Sequence, residues 1–146
     1  MSHWASKYIG IPFFDRGRTA DGCDCWGLLC LVLRQELGID VSGYDDAYSG
    51  AADATAATAI RSTADEYRRW TQVLPGDERP FDAVLMTGCY RNGSGLVRAP
   101  MHVGVVVSPS SATMLHVEAG TDACISRYRR NLLIERRVVA MYRHAE

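Results

Sequence analysis

The spacing of apolar residues changes about half-way along the chain. In the first half they recur at helical intervals. Leu28, Leu29, Val32, Leu33 and Leu37 lie three or four apart and predict a helix from about Cys25 to Leu37. Asp24 stands where an N-cap belongs, and Gly38 where a C-cap belongs. Ser2 is placed to cap a short helix to about Tyr8, which Gly10 and Pro12 stop. Ala51 to Trp70 is alanine-rich and free of Pro and Gly, which predicts a second long helix. In the second half, short apolar or β-branched runs take over: Ala83 to Thr87, His102 to Val107, Thr113 to Val117, Cys124 to Tyr128 and Arg136 to Met141. Gly93, Gly95, Pro100, Pro109, Ser110, Gly120 and Asn131 separate them, and Tyr90 to Pro100 reads as a longer loop. Helices followed by closely spaced strands predict one α+β domain over residues 1–146. N-terminal helices pack on a mainly antiparallel sheet of about five strands.

Composition narrows the class. Hydrophobic residues make up 47% and charged residues 23%, as in a soluble globular domain. The net charge of −1 lacks the basic excess of a nucleic-acid binder. No apolar run approaches the roughly 18 residues of a membrane helix, and the N-terminus has no basic stretch followed by an apolar core. The expectation is therefore no nucleic acid, no membrane and no signal peptide, with synthesis in a cytoplasm. Five cysteines without a signal argue for reduced thiols rather than a disulfide framework.

One of those cysteines is placed for chemistry. Cys25 lies where a polar loop meets the predicted helix. There the helix dipole favours thiolate, and the first-turn N–H groups have no intrahelical acceptor. Those groups can bind an oxyanion. Two histidines follow, separated by 116 − 102 = 14 positions, with Pro109 to Ser111 near their midpoint. A hairpin at that point sets His102 and His116 roughly opposite each other, as a base and its orienting partner require. Cys25 then attacks an amide carbonyl, His102 transfers the protons and His116 fixes the His102 ring.

The residues Gly10-Ile11-Pro12-Phe13, Gly22-Cys23-Asp24-Cys25-Trp26-Gly27-Leu28, Phe81-Asp82-Ala83-Val84-Leu85, His102-Val103-Gly104-Val105 and His116-Val117-Glu118-Ala119 together resemble the NlpC-type cysteine peptidases. The resemblance extends over nearly the whole chain. It implies a papain-like fold, a catalytic triad of Cys25, His102 and His116, and cleavage of an amide beside a D-glutamyl or diaminopimelyl residue of peptidoglycan stem peptides. The Asp-Cys-Trp-Gly-Leu form is most similar to the branch found in tailed-phage and gene-transfer-agent tails. That implies a virion tail tip and tail-tip or hub proteins as partners. Phe13 departs from the Tyr that many members carry there; Tyr8 is a candidate replacement for its hydroxyl. Trp26 departs from the usual Ser, which with Asp24 can recognise a substrate amine. Asp24, Trp26 and Phe13 are accordingly the candidate substrate-binding residues.

Blander readings stand beside these. A free cysteine most often packs in a core, which is the reading for Cys23, Cys30, Cys89 and Cys124. Cys23, Cys25, His102 and His116 offer soft metal ligands, but Cys-x-Cys is not the paired-cysteine zinc pattern, and neither metal nor cofactor is expected. Arg127, Arg129, Arg130, Arg136 and Arg137 read first as a solvated strand edge and second as a contact for an anionic polymer. Two further functions compete with peptidoglycan hydrolysis. One is a structural tail protein with weak or lost activity, and the other is an acyltransferase or amidase using the same triad.

Overall fold

The computed structural model describes residues 3–41, 69–92 and 95–145. A 3-10 turn, Trp4–Tyr8, opens it. Its cap is His3, whose side chain accepts from the Ala5 N–H, whereas Ser2 lies outside the described residues. A two-stranded hairpin follows, β1 (Arg18–Thr19) with β2 (Gly22–Cys23), inside the segment read as a loop.

Helix α1 runs Cys25–Leu37, as its periodicity requires. The Asp24 side chain accepts from the Gly27 N–H, and Gly38 closes the helix in the left-handed conformation at φ 68°. That conformation strains any residue with a Cβ. Nine consecutive residues, Cys25 to Leu33, are buried. Being apolar all round its first two turns, the helix is enclosed rather than laid on a surface. Its start is clamped at close quarters. A Cβ built on Gly27 would stand 2.0 Å from the Gly17 carbonyl oxygen, and one on Gly17 would stand 2.3 Å from the Gly22 oxygen. Only glycine lets this loop lie against the helix.

The remaining strands are β3 (Trp70–Val73), β4 (Ala83–Asn92), β5 (Gly95–Ser108), β6 (Thr113–His116), β7 (Cys124–Arg127) and β8 (Val138–His144). They form one six-stranded sheet in the order β3-β8-β4-β5-β6-β7, with every pairing antiparallel. Alternation along the strands gives the sheet two apolar faces. Leu85, Val103, Val105, Val107 and Leu115 pack with α1. Val84, Met86, Val106, Met114 and Met141 form a second cluster with Tyr128.

Three sequence readings change. The sheet has a sixth strand because Trp70 begins β3, paired to His144, instead of ending a helix. Positions 51–68 of that helix lie outside the described residues. Tyr90 to Pro100 is not a loop: Tyr90 and Pro100 sit in the long β4–β5 ladder, with Asn92 paired to Gly95. Pro100 is tolerated there because the register shifts beside it, between Met86 and Thr87. The stretch from Arg136 begins as the end of a short helix, α2 (Leu132–Glu135), and strand pairing starts only at Val138.

Gly27→Ala tests the clamp on α1. Overpacking against backbone costs about 1–3 kcal/mol, and chemical denaturation should show a loss of that size. An unchanged midpoint would mean that the loop relaxes away without cost.

Candidate active site

The N-terminus of α1 abuts β5, and this contact assembles the site. Cys25 is 8% exposed, His102 5% and His116 6%. The Val103 amide, next to His102 and past the last β5–β6 pair at Val105–Leu115, hydrogen-bonds the Cys25 sulfur, as does the amide of Trp26. His102 Nε2 lies 2.9 Å from His116 Nδ1, with the rings edge-on. His102 Nδ1 is the ring nitrogen not used by His116.

The two histidines are not directly opposed. The pair Val105–Leu115 sums to 105 + 115 = 220, so the register sets Gly104 across from His116. The offset arises where the hairpin closes, at the Ser108–Thr113 pair, and the register shift between Val106 and Ser108 shortens it by one residue, which puts both histidines on one face. His102 therefore reaches His116 diagonally, across the space that Gly104 leaves open. A Cβ on Gly104 would stand 3.4 Å from the His116 Cβ and 2.8 Å from the Met114 sulfur.

Two residues that the sequence did not single out complete the arrangement. Ser126 Oγ on β7 lies 2.8 Å from His116 Nε2. Glu118 Oε1 stands 3.7 Å from His102 Nε2 and 3.9 Å from His116 Nδ1, and Glu118 is paired with Arg137. Ser126 carried only one signal, the alternation of a strand two residues beyond Cys124. Glu118 was legible only as part of the His-Val-Glu-Ala motif.

The candidate substrate contacts are placed differently. The Asp24 carboxylate is 1% exposed and meets the Gly27 and Arg16 amides and the Arg18 guanidinium. The cation it binds is therefore a residue of its own loop, and the carboxylate builds the turn before the nucleophile. Trp26 is buried in the α1 core, 6.1 Å from the Trp70 ring. Phe13 is partly buried and bridges Cys23 through its backbone. The Tyr8 hydroxyl donates to Glu36 and Gln35, near the opposite end of α1 from Cys25. It cannot replace the hydroxyl missing at Phe13. Among the first-turn amides, Gly27 is taken by the Asp24 side chain and Leu28 by the Asp24 carbonyl, while that of Trp26 lies at the sulfur.

Electrostatics reverse one expectation. Burial, reinforced by Asp24, pushes the Cys25 thiol up to about 12, outweighing the amides of Val103 and Trp26. Burial also takes His102 down to about 3 and lowers His116, although Glu118 pulls both the other way. The closed site thus holds a neutral thiol and a neutral imidazole, instead of the resting thiolate that the helix terminus alone suggests. Burial raises the Glu118 carboxyl, but Arg137 and the two imidazoles lower it further.

Among the described residues, His102, His116 and Glu118 place ligand atoms within 4.8 Å of one another. Arg137 already neutralises that carboxylate, and the imidazole–imidazole hydrogen bond occupies the facing nitrogens. Cys23 is fully buried and stands outside this cluster. No helix among the described residues is long and apolar enough to cross a membrane.

The fold matches known structures over almost the whole chain. The NlpC/p60 domain of the peptidoglycan hydrolase SagA superposes with a TM-score of 0.60 at 17% identity, covering 95% of this chain and 92% of that one. The chain has the NlpC/P60 fold. A lipoprotein-like NLP/P60 family protein of Staphylococcus aureus gives a TM-score of 0.62 at 16% identity, over 97% of this chain and 39% of that one. An NlpC/P60 family protein of Bacillus cereus gives 0.60 at 17% identity, over 95% and 37%. In sequence, the chain is 30% identical over 90 residues to the gamma-DL-glutamyl hydrolase of Bacillus subtilis, covering 61% of this chain. The chain spans only 17% of that curated relative's length. No protein-family model matches.

The buried histidines predict an acid-sensitive core. His102 binds its proton near 6.5 when unfolded and only near 3 when folded. The unfolded state therefore holds more protons between those values, and stability is lost as pH falls from about 6.5 towards about 3. Glu118, lowered by folding from its ordinary 4.5, extends the loss in the same direction. Denaturation midpoints should fall on acidification, and less steeply in His102→Gln. Equal slopes in both proteins would contradict the burial of a neutral imidazole.

Proposed function

We propose that this chain is a cysteine peptidase that hydrolyses amide bonds in peptidoglycan stem peptides. The observation that carries the reading is the Cys25 sulfur held at the amide of Val103, the residue that follows a buried His102 whose Nε2 is committed to His116. Further support comes from the fold shared with a peptidoglycan hydrolase domain and from the local likeness to a gamma-DL-glutamyl hydrolase.

The chemistry follows from the proton arrangement. Two arrangements satisfy the same distances. In the first, Ser126 donates to His116, His116 donates to His102, and the remaining proton of His102 sits on Nδ1. In the second, His102 Nε2–H donates to His116 Nδ1 and His116 Nε2–H donates to Ser126 Oγ. Only the second leaves His102 Nδ1 bare to take the proton of the Cys25 thiol. The thiolate formed then attacks the amide carbon, and the imidazolium protonates the leaving amine. A water deprotonated by His102 cleaves the thioester and returns the proton to sulfur. His116 keeps the base oriented throughout.

We place this activity at the tail tip of a phage or phage-like particle, with tail-tip or hub proteins as partners, on the likeness of Asp24-Cys25-Trp26-Gly27-Leu28 alone. A second reading, a structural tail protein with little activity, draws on the neutral, buried thiol.

Mass spectrometry of stem peptides and muropeptides incubated with the reduced protein separates the readings. The peptidase reading predicts new fragments from the wild type and a loss of at least about 1,000-fold in Cys25→Ala. Fragments bearing an added amine would indicate acyl transfer. Intact substrates with both proteins, and with whole particles, would favour the structural role.

A further inference from the structure

Glu118 and Arg137 form a built device next to the dyad. Both guanidinium arms engage the carboxylate, Nη1 to Oε1 at 2.9 Å and Nη2 to Oε2 at 3.0 Å. The third donor, Nε, holds the Thr87 carbonyl at 2.9 Å, and the Thr87 amide donates to the Arg137 carbonyl at 2.8 Å. This double anchor sits where the β4–β8 register shifts, between Leu85 and Met86. A bidentate, backbone-anchored arginine fixes where the carboxylate points. It points at the junction of the two rings, 3.7 Å from His102 Nε2 and 3.9 Å from His116 Nδ1.

We infer that Glu118, held in place by Arg137, is a positioning residue that compensates the positive charge formed on His102 when it takes the Cys25 proton. The inference rests on the peptidase reading only in requiring that this proton transfer occurs. The charges balance. Neutral thiol and neutral imidazole become thiolate and imidazolium, while Glu118 and Arg137 keep one charge each. In a site as buried as this one, the imidazolium has little water to solvate it, so the fixed carboxylate favours the charge-separated state. Other groups also face the dyad. Cys25 from α1 becomes the counter-anion, Asp24 behind it and, more weakly, Glu118 oppose thiolate formation, and Arg137 opposes the imidazolium, on which Glu118 acts more strongly than on the sulfur. Cys124 lies beside Ser126, with its sulfur 3.9 Å from the hydroxyl. Glu118 is therefore the carboxylate facing both rings, and Arg137 limits how strongly it acts. The two residues should influence the dyad in opposite directions.

The test reads Cys25 directly and needs no peptidoglycan. Cys25 alkylation by iodoacetamide is followed against pH by peptide mass spectrometry in the wild type, Glu118→Gln and Arg137→Gln. Thermal unfolding checks that each variant is folded. A carboxylate this close shifts a neighbour by about one pKa unit or more. Glu118→Gln should therefore slow alkylation at neutral pH about tenfold. Arg137→Gln should quicken it and move its acid limb to higher pH. Alkylation within twofold of wild type in Glu118→Gln, or slowing by both variants alike, would overturn the inference. If Glu118→Gln does not fold, the sign of the Arg137→Gln effect decides. Opposite shifts in a protein that cleaves no stem peptide would sink the substrate reading and leave the Glu118 inference standing.

Discussion

Two buried imidazoles joined by one hydrogen bond, His102 Nε2 to His116 Nδ1 at 2.9 Å, set the terms for everything around them. A polar pair this deep must be satisfied, because an unpaired buried nitrogen costs about 1–3 kcal/mol. Ser126 satisfies the far end of the pair, and Glu118 stands beside the shared bond. Gly104, across from His116, leaves room there: a side chain would press on the Met114 sulfur and the Leu115 carbonyl. The register shift at Val107 is required because without it His116 would stand across from Val105, on the face opposite to His102.

The nucleophile is positioned by a different constraint, the start of α1. Asp24 caps the helix while holding Arg18 and the Arg16 amide, so the turn carrying Cys25 is tied to the loop before it. The glycine contact between residues 17 and 27 brings that loop onto the helix with no side chain between them. The helix terminus and the dyad then meet at Val103, where a strand amide reaches the sulfur. Burial keeps both reacting groups neutral at rest. The proton transfer thus belongs to the reaction, and Glu118 is the carboxylate set against the His102–His116 bond.

Much of this was legible in the sequence, for physical reasons. Leu28 to Leu33 are apolar because one helix buries them, and Asp24 and Gly38 cap its two ends. The five strands beyond residue 82 follow from β-branched runs. The misreadings have physical causes too. Trp70 pairs with His144, a long-range partner that local propensity does not encode. Tyr90 and Pro100 look like loop residues until ladder pairing is counted. The diagonal offset of the histidines depends on a bulge that spacing alone does not disclose. Asp24 caps α1 and Trp26 packs in its core, roles that their place beside a nucleophile does not disclose. Ser126 and Arg137 lie 10 and 19 positions beyond the residues they hold, too far for a motif to include them.

Proton transfer from Cys25 requires His102 to carry its proton on Nε2 and to leave Nδ1 bare. Nitrogen-15 NMR of the histidine rings in the wild-type protein at neutral pH reads this directly, because protonated and bare ring nitrogens differ strongly in chemical shift and in coupling to the ring carbons. The account predicts protons on Nε2 of both His102 and His116, with both Nδ1 atoms bare. A proton on His102 Nδ1 would reverse the hydrogen-bond chain from Ser126, leave the thiol without a base and contradict the account.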